Sequence, residues 1–97
     1  MTTLHVLSHS PFTDTRLESC LRVLGSQDGL LLCGDAVYAL LPASAPWVAL
    51  EQRQIRVYAM GEDLLARGLE PAALVTTLDY PGFVQLTLDY DKVNTWL

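Results

Sequence analysis

Leu30-Leu31-Leu32-Cys33 is the stretch that decides the fold. It follows the turn pair Asp28-Gly29, precedes Gly34-Asp35, and offers no polar side to face water. Such a run suits a strand covered on both faces, as in the centre of a parallel sheet; a half-solvated strand alternates apolar and polar residues instead. Each neighbouring segment is then either a partner strand or cover for one face.

Upstream, Thr3-Leu4-His5-Val6-Leu7 reads as a first strand, stopped by Ser8-His9-Ser10-Pro11, where Pro11 biases Ser10 toward extended geometry. Between the two strands, Leu17, Cys20, Leu21 and Leu24 follow the i, i+3, i+4, i+7 spacing of a helix with one buried face. Thr13 or Asp14 can cap that helix, and Gly25 ends it. Downstream, Gly34-Asp35 opens a short helical segment from Ala36 to Leu41, closed by Pro42, and Pro46 to Gln52 forms a second irregular or helical piece. Ile55 to Ala59 has strong β propensity, and the loop Gly61-Glu62-Asp63 leads into a short helix before Gly68. Leu74 to Leu78 is another strand, and Pro81 suits the first turn of a helix continuing through Phe83 to Leu88. Val93 to Leu97 is a last edge strand or a docked tail. This alternation predicts an α/β fold, a three-layer α/β/α arrangement around a mainly parallel sheet. A length of 97 residues fits a single domain, 1–97, without repeat or linker.

Composition narrows the function. The chain is 51% apolar, high for so short a sequence, and a small domain has limited interior in which to hide that surface. Contact with another subunit is expected. Eleven acidic against six basic residues give a net charge of −5, with no Lys/Arg cluster, which disfavours direct nucleic-acid binding. The longest apolar stretch, Ala36 to Leu50, is broken by Pro42 and Pro46 and falls short of the roughly 20 residues of a membrane span. Two cysteines twelve residues apart make neither a CxxC pair nor a zinc ligand set, and no secretory signal pattern is present. A cytoplasmic location is expected.

In open sheets of this type, sites gather beyond the carboxyl ends of the strands, so Ser8 to Thr13, Gly34 to Tyr38 and Met60 to Asp63 are expected on one rim. The scattered glycines form no GxGxxG or Walker loop. Asp35, Glu62 and Asp63 are candidate metal ligands or acid–base groups, or else helix caps and solvated loop residues. His5 reads as a packed or hydrogen-bonded histidine, and His9 as a loop residue open to several roles. Trp96 is a candidate anchor at a subunit contact, with docking onto its own domain as the second reading. Cys20 lies on an apolar stripe as a small buried hydrophobe would, yet it is also a candidate nucleophile, with Arg16 four residues away. Cys33, inside an apolar strand, reads more strongly as packing.

Several segments in order carry a resemblance that spans nearly the whole chain. They are Ser10-Pro11-Phe12, Leu17-Glu18-Ser19-Cys20-Leu21, Asp35 with Val37-Tyr38-Ala39, Ile55 to Ala59, Glu62-Asp63-Leu64 with Ala66-Arg67-Gly68, Asp79-Tyr80 with Phe83-Val84, and Trp96-Leu97. Together they resemble the TusB/DsrH family of sulfur-relay subunits. The resemblance implies a cytoplasmic, DsrEFH-like α/β/α subunit that assembles into a heterohexamer with TusC/DsrF-like and TusD/DsrE-like chains. It implies transfer of sulfur as cysteine persulfide from TusA-like to TusE-like carriers, toward 2-thiouridine at the tRNA wobble position, or dissimilatory sulfur oxidation in the Dsr branch. The principal sulfur-accepting cysteine of such assemblies belongs to the TusD/DsrE-type partner. Cys20 matches a cysteine found in DsrH-type members, which makes it a candidate persulfide carrier. Cys33 matches an ordinary apolar position, and Gly34-Asp35-Ala36 departs from the usual acidic-Asp-Gly order. The chemistry is thiolate attack on a sulfane sulfur and requires no metal or organic cofactor.

Overall fold

The computed structural model describes residues 1–96; Leu97, the last residue of the expected C-terminal strand, lies outside the described residues. Five strands form one parallel sheet: β1 (Thr3–Leu7), β2 (Gly29–Leu32), β3 (Arg56–Met60), β4 (Val75–Leu78) and β5 (Lys92–Trp96), in the order β4-β3-β2-β1-β5. Every adjacent pair runs parallel. The connecting helices are α1 (Arg16–Val23), a 3-10 helix at Gly34–Leu40, α2 (Ala45–Arg53), α3 (Gly61–Ala66) and α4 (Tyr80–Leu88).

Burial falls off from the centre of the sheet outward. All four residues of β2 are buried, against two of five in β3, one of four in β4 and none in β5. The apolar run Leu30 to Leu32 is therefore central, as its composition predicts. Gly29 belongs to the strand rather than to the turn before it: a Cβ there would meet the Tyr90 hydroxyl at 2.3 Å and a Tyr58 ring carbon at 3.2 Å. A side chain at this position would have to push the Tyr90 ring aside.

Pleating separates the two sides. Leu7, Leu30, Leu32, Val57, Ala59 and Val75 pack with Leu17, Cys20 and Leu24 around α1, with the 3-10 helix, with Trp47 and Leu50 of α2, and with Leu64 of α3. On the other side, Leu4, Val6 and Leu31 pack with Leu86 of α4, flanked by Tyr58, Met60, Leu78 and Phe83. Right-handed crossovers explain this division. The path β1→β2→β3→β4 steps one way across the sheet and lays its helices on one side, whereas β4→β5 returns past β1 and lays α4 on the other.

Element boundaries shift from those expected. Neither Thr13 nor Asp14 is the N-cap of α1; Thr15 holds that position without a side-chain bond, while Asp14 accepts from the Arg16 amide at 2.8 Å. Gly61, Glu62 and Asp63 form the first turn of α3 rather than a loop before it, and two acidic residues there suit the positive end of a helix. Ser44 caps α2 by accepting from the Trp47 amide, and Asp79 caps α4 by accepting from Gly82. Among the described residues no helix is long and apolar enough to cross a membrane.

Candidate functional site

The segments that follow β1, β2 and β3 do meet at one rim. Gly34 takes a left-handed conformation, φ 52°, immediately after Cys33, and a Cβ on it would press against the Ser8 carbonyl at 3.3 Å. Its amide donates to Asp63 Oδ2 at 2.9 Å, tying the end of β2 to α3. Arg67, four residues after Asp63, donates to Asp35 Oδ1 through Nε at 3.2 Å and Nη2 at 2.8 Å, and to the Asp63 carbonyl through Nη1 at 3.1 Å. The Arg67 guanidinium also lies over the Tyr38 ring, 5.8 Å from its centroid.

Asp35 and Asp63 thus serve as partners of an arginine and of a backbone amide, and Glu62 is exposed on the first turn of α3. Among the described residues no group of three His, Cys, Asp or Glu side chains could hold a metal ion. The cation that joins these carboxylates, Arg67, is not among the residues that sequence pattern alone singles out. The i, i+4 spacing of Asp63 and Arg67 was the available signal.

The two thiols sit in different surroundings. Cys20 is fully buried on the inner side of α1. Burial, reinforced by the Asp28 carboxylate and opposed by Arg53, pushes its thiol up to about 12. The cation that acts on Cys20 is therefore Arg53 of α2, whereas Arg16 pairs with Asp14. Cys33 is half-buried rather than sealed in a strand, because β2 ends one residue earlier. Its thiol donates to the Leu7 carbonyl at 3.4 Å and is raised by burial and by Asp63. Cys33 lines a shallow apolar cavity of about 230 Å³ with Met60, Asp63, Tyr80 and Phe83.

The histidines partner other groups. His9 lies 3.5 Å from the Ser8 hydroxyl in the loop after β1. His5 is buried, with Nε2 3.3 Å from Asp28 Oδ2 and Nδ1 accepting the Trp96 indole N–H at 3.1 Å. Trp96 is thus docked within its own chain, the second of the two readings open to it in the sequence. Its indole N–H finds in His5 the partner that a buried indole requires.

Taken together, these side chains can position and pack, but neither thiol is ionised near neutral pH, as a sulfur nucleophile must be. Comparison with known proteins supplies the chemical context. Residues 9–93 match the family model described as DsrH like protein. The curated relative Protein TusB from Shigella flexneri is 38% identical over 95 residues, covering 96% of this chain and 99% of the relative. Protein TusB from Erwinia tasmaniensis is 39% identical over the same length and with the same coverage. Among solved structures, the ychN protein from E. coli superposes with a TM-score of 0.72 at 23% identity, covering 99% of this chain and 100% of that one. Protein Tm0979 from Thermotoga maritima does so at 0.62 and 21% identity, covering 90% of this chain and 92% of that one. At such identities the two structures speak to the fold alone.

Proposed function

The chain belongs to the TusB/DsrH family, and from that premise we propose that it is a non-autonomous subunit of a sulfur-relay complex whose sulfur-bearing thiol sits on a partner chain. One observation carries this reading: the match to TusB proteins runs over 96% of the chain at 38% identity. The molecule is then a single-domain, cytoplasmic subunit that joins TusC/DsrF-like and TusD/DsrE-like chains in a heterohexamer.

The step served by the complex is a thiolate attack on the terminal sulfur of a donor persulfide. A new S–S bond forms at the acceptor, the donor's S–S bond breaks, and the electron pair leaves with the donor thiolate, so the transfer involves no net redox change. The TusA-like donor and TusE-like acceptor are reached through the complex. The direction is toward 2-thiouridine at the tRNA wobble position, in keeping with relatives that bear the TusB name. The negative net charge suits protein-to-protein hand-over better than contact with tRNA.

Supporting a scaffold role for this chain is the placement of Cys20, which has no exposed surface and a thiol that stays protonated near neutral pH. In the rival reading, with Cys20 as persulfide carrier, α1 has to lift from the sheet before a donor sulfur can reach it. Reconstitution tests both. The chain is assembled with TusC- and TusD-type partners, loaded from a persulfide donor, and each chain is analysed by mass spectrometry for added sulfur. Loading confined to the partner, with transfer unchanged in Cys20→Ala, is the expected result; donor-dependent sulfur on Cys20 would overturn the scaffold role. Nucleoside analysis of tRNA from cells lacking the chain tests the pathway, with loss of 2-thiouridine expected. Unchanged 2-thiouridine with impaired sulfur oxidation would assign the chain to the Dsr branch.

A further inference from the structure

We propose that His5, Asp28 and Trp96 form a proton-operated latch on the edge strand β5, closed when His5 is neutral and opened when it takes up a second proton. The geometry fixes the tautomer. An indole N–H only donates, so the bond from Trp96 to Nδ1, at 3.1 Å, requires a lone pair on that nitrogen. The ring proton is then on Nε2, directed at Asp28 Oδ2, 3.3 Å away.

Asp28 is built to stay ionised opposite that proton. Partial burial pushes its carboxyl up, but hydrogen bonds from the Gly25 amide at 2.8 Å, the Thr3 amide at 2.9 Å and His5 outweigh it and hold the group below its usual range. A proton arriving at Nδ1 sets two donors head to head, so the indole has to leave, while Nε2–H keeps its carboxylate. Lys92 of β5 lines the same cleft as His5 and Asp28 and opposes the added charge.

Besides Trp96, what holds the strand is its parallel pairing with β1, from Thr3↔Lys92 to Leu7↔Trp96. Residues 92 to 95 are exposed, and within the sheet β5 pairs only with β1. Its first end is clipped by Asp91, which accepts from the Thr2 amide at 2.9 Å, and by the Lys92 amide, which donates to the Thr2 carbonyl at 3.1 Å. Trp96 is the clip at the other end. The closed latch has no place for a second proton on Nδ1, so protonation of that nitrogen opens it.

Nitrogen-15 NMR of the intact chain, titrated from about pH 8 to about pH 5, reads both partners at once. Expected are an Nε2–H tautomer of His5 at the alkaline end and a Trp96 indole resonance that moves to its solvent-exposed position with the midpoint of the His5 ring. In His5→Asn the amide oxygen, at the position of Nδ1, accepts the indole proton without titrating, and the Trp96 resonance should stay fixed. A proton on Nδ1 at the alkaline end would overturn the latch. So would a His5 ring that titrates while Trp96 stays still, or one that fails to titrate over the range. A Trp96 transition with the same midpoint in His5→Asn would also overturn it. If that variant does not fold, the tautomer and the shared midpoint in the unmodified chain decide alone.

Discussion

At Cys20, reactivity and packing pull on one sulfur atom, and burial decides between them. Desolvation penalises the thiolate, Asp28 adds to the penalty, and Arg53 recovers only part of it. Because the raised value in the folded state exceeds the ordinary 9.0, the group's contribution to stability is fully present below about pH 9 and is lost as pH rises toward 12. Denaturant melts should therefore weaken through that alkaline window, and the part due to Cys20 should vanish in Cys20→Ala. That substitution should itself cost about 1 kcal/mol, as deletion of a small buried group does. Alkylation of the native chain near neutral pH should reach Cys33 before Cys20, since Cys33 is half-buried at the mouth of a cavity and Cys20 is sealed. Peptide mass spectrometry after a timed pulse of iodoacetamide checks the order; faster labelling of Cys20 would show that α1 opens readily.

Among the elements, β2 was the easiest to read and its neighbours the most informative to misjudge. Leu30 to Leu32 have no polar side, and only a central position in the sheet satisfies that. The helix stripe through Leu17, Cys20 and Leu24 was equally legible because its spacing is local. What the sequence hid is pairing across long separations. Asp35 with Arg67 spans 32 residues, and His5 with Trp96 spans 91. No local periodicity encodes either, so the rim cluster and the docking of Trp96 emerge only once the crossovers bring those residues together. Gly29 follows the same logic, looking like a turn glycine although a side chain on it would have to push the Tyr90 ring aside. Gly29→Ala should destabilise the chain by about 1–3 kcal/mol through overpacking. In a Tyr90→Leu background, where the obstructing ring is gone, the cost should shrink; an equal cost in both backgrounds, measured by denaturant titration, would place the strain in the backbone instead.

The whole molecule is lopsided, and that shape bears on its assembly. One side of the sheet carries three α-helices and the 3-10 helix, whereas the other carries α4 alone. On the outer side of α4, Tyr80, Val84 and Leu88 recur at i, i+4, i+8 and are 64%, 43% and 74% exposed, and Val93 of β5 is 44% exposed. Apolar side chains aligned in this way are characteristic of a surface that another protein covers. The high apolar fraction seen in the sequence is thus only partly absorbed by the two cores. The most direct test is native mass spectrometry of this chain co-expressed with its TusC- and TusD-type partners. One dominant species containing all three chains in equal numbers is the expected result; a partner complex that forms without this chain, leaving it monomeric, would contradict its role as a subunit.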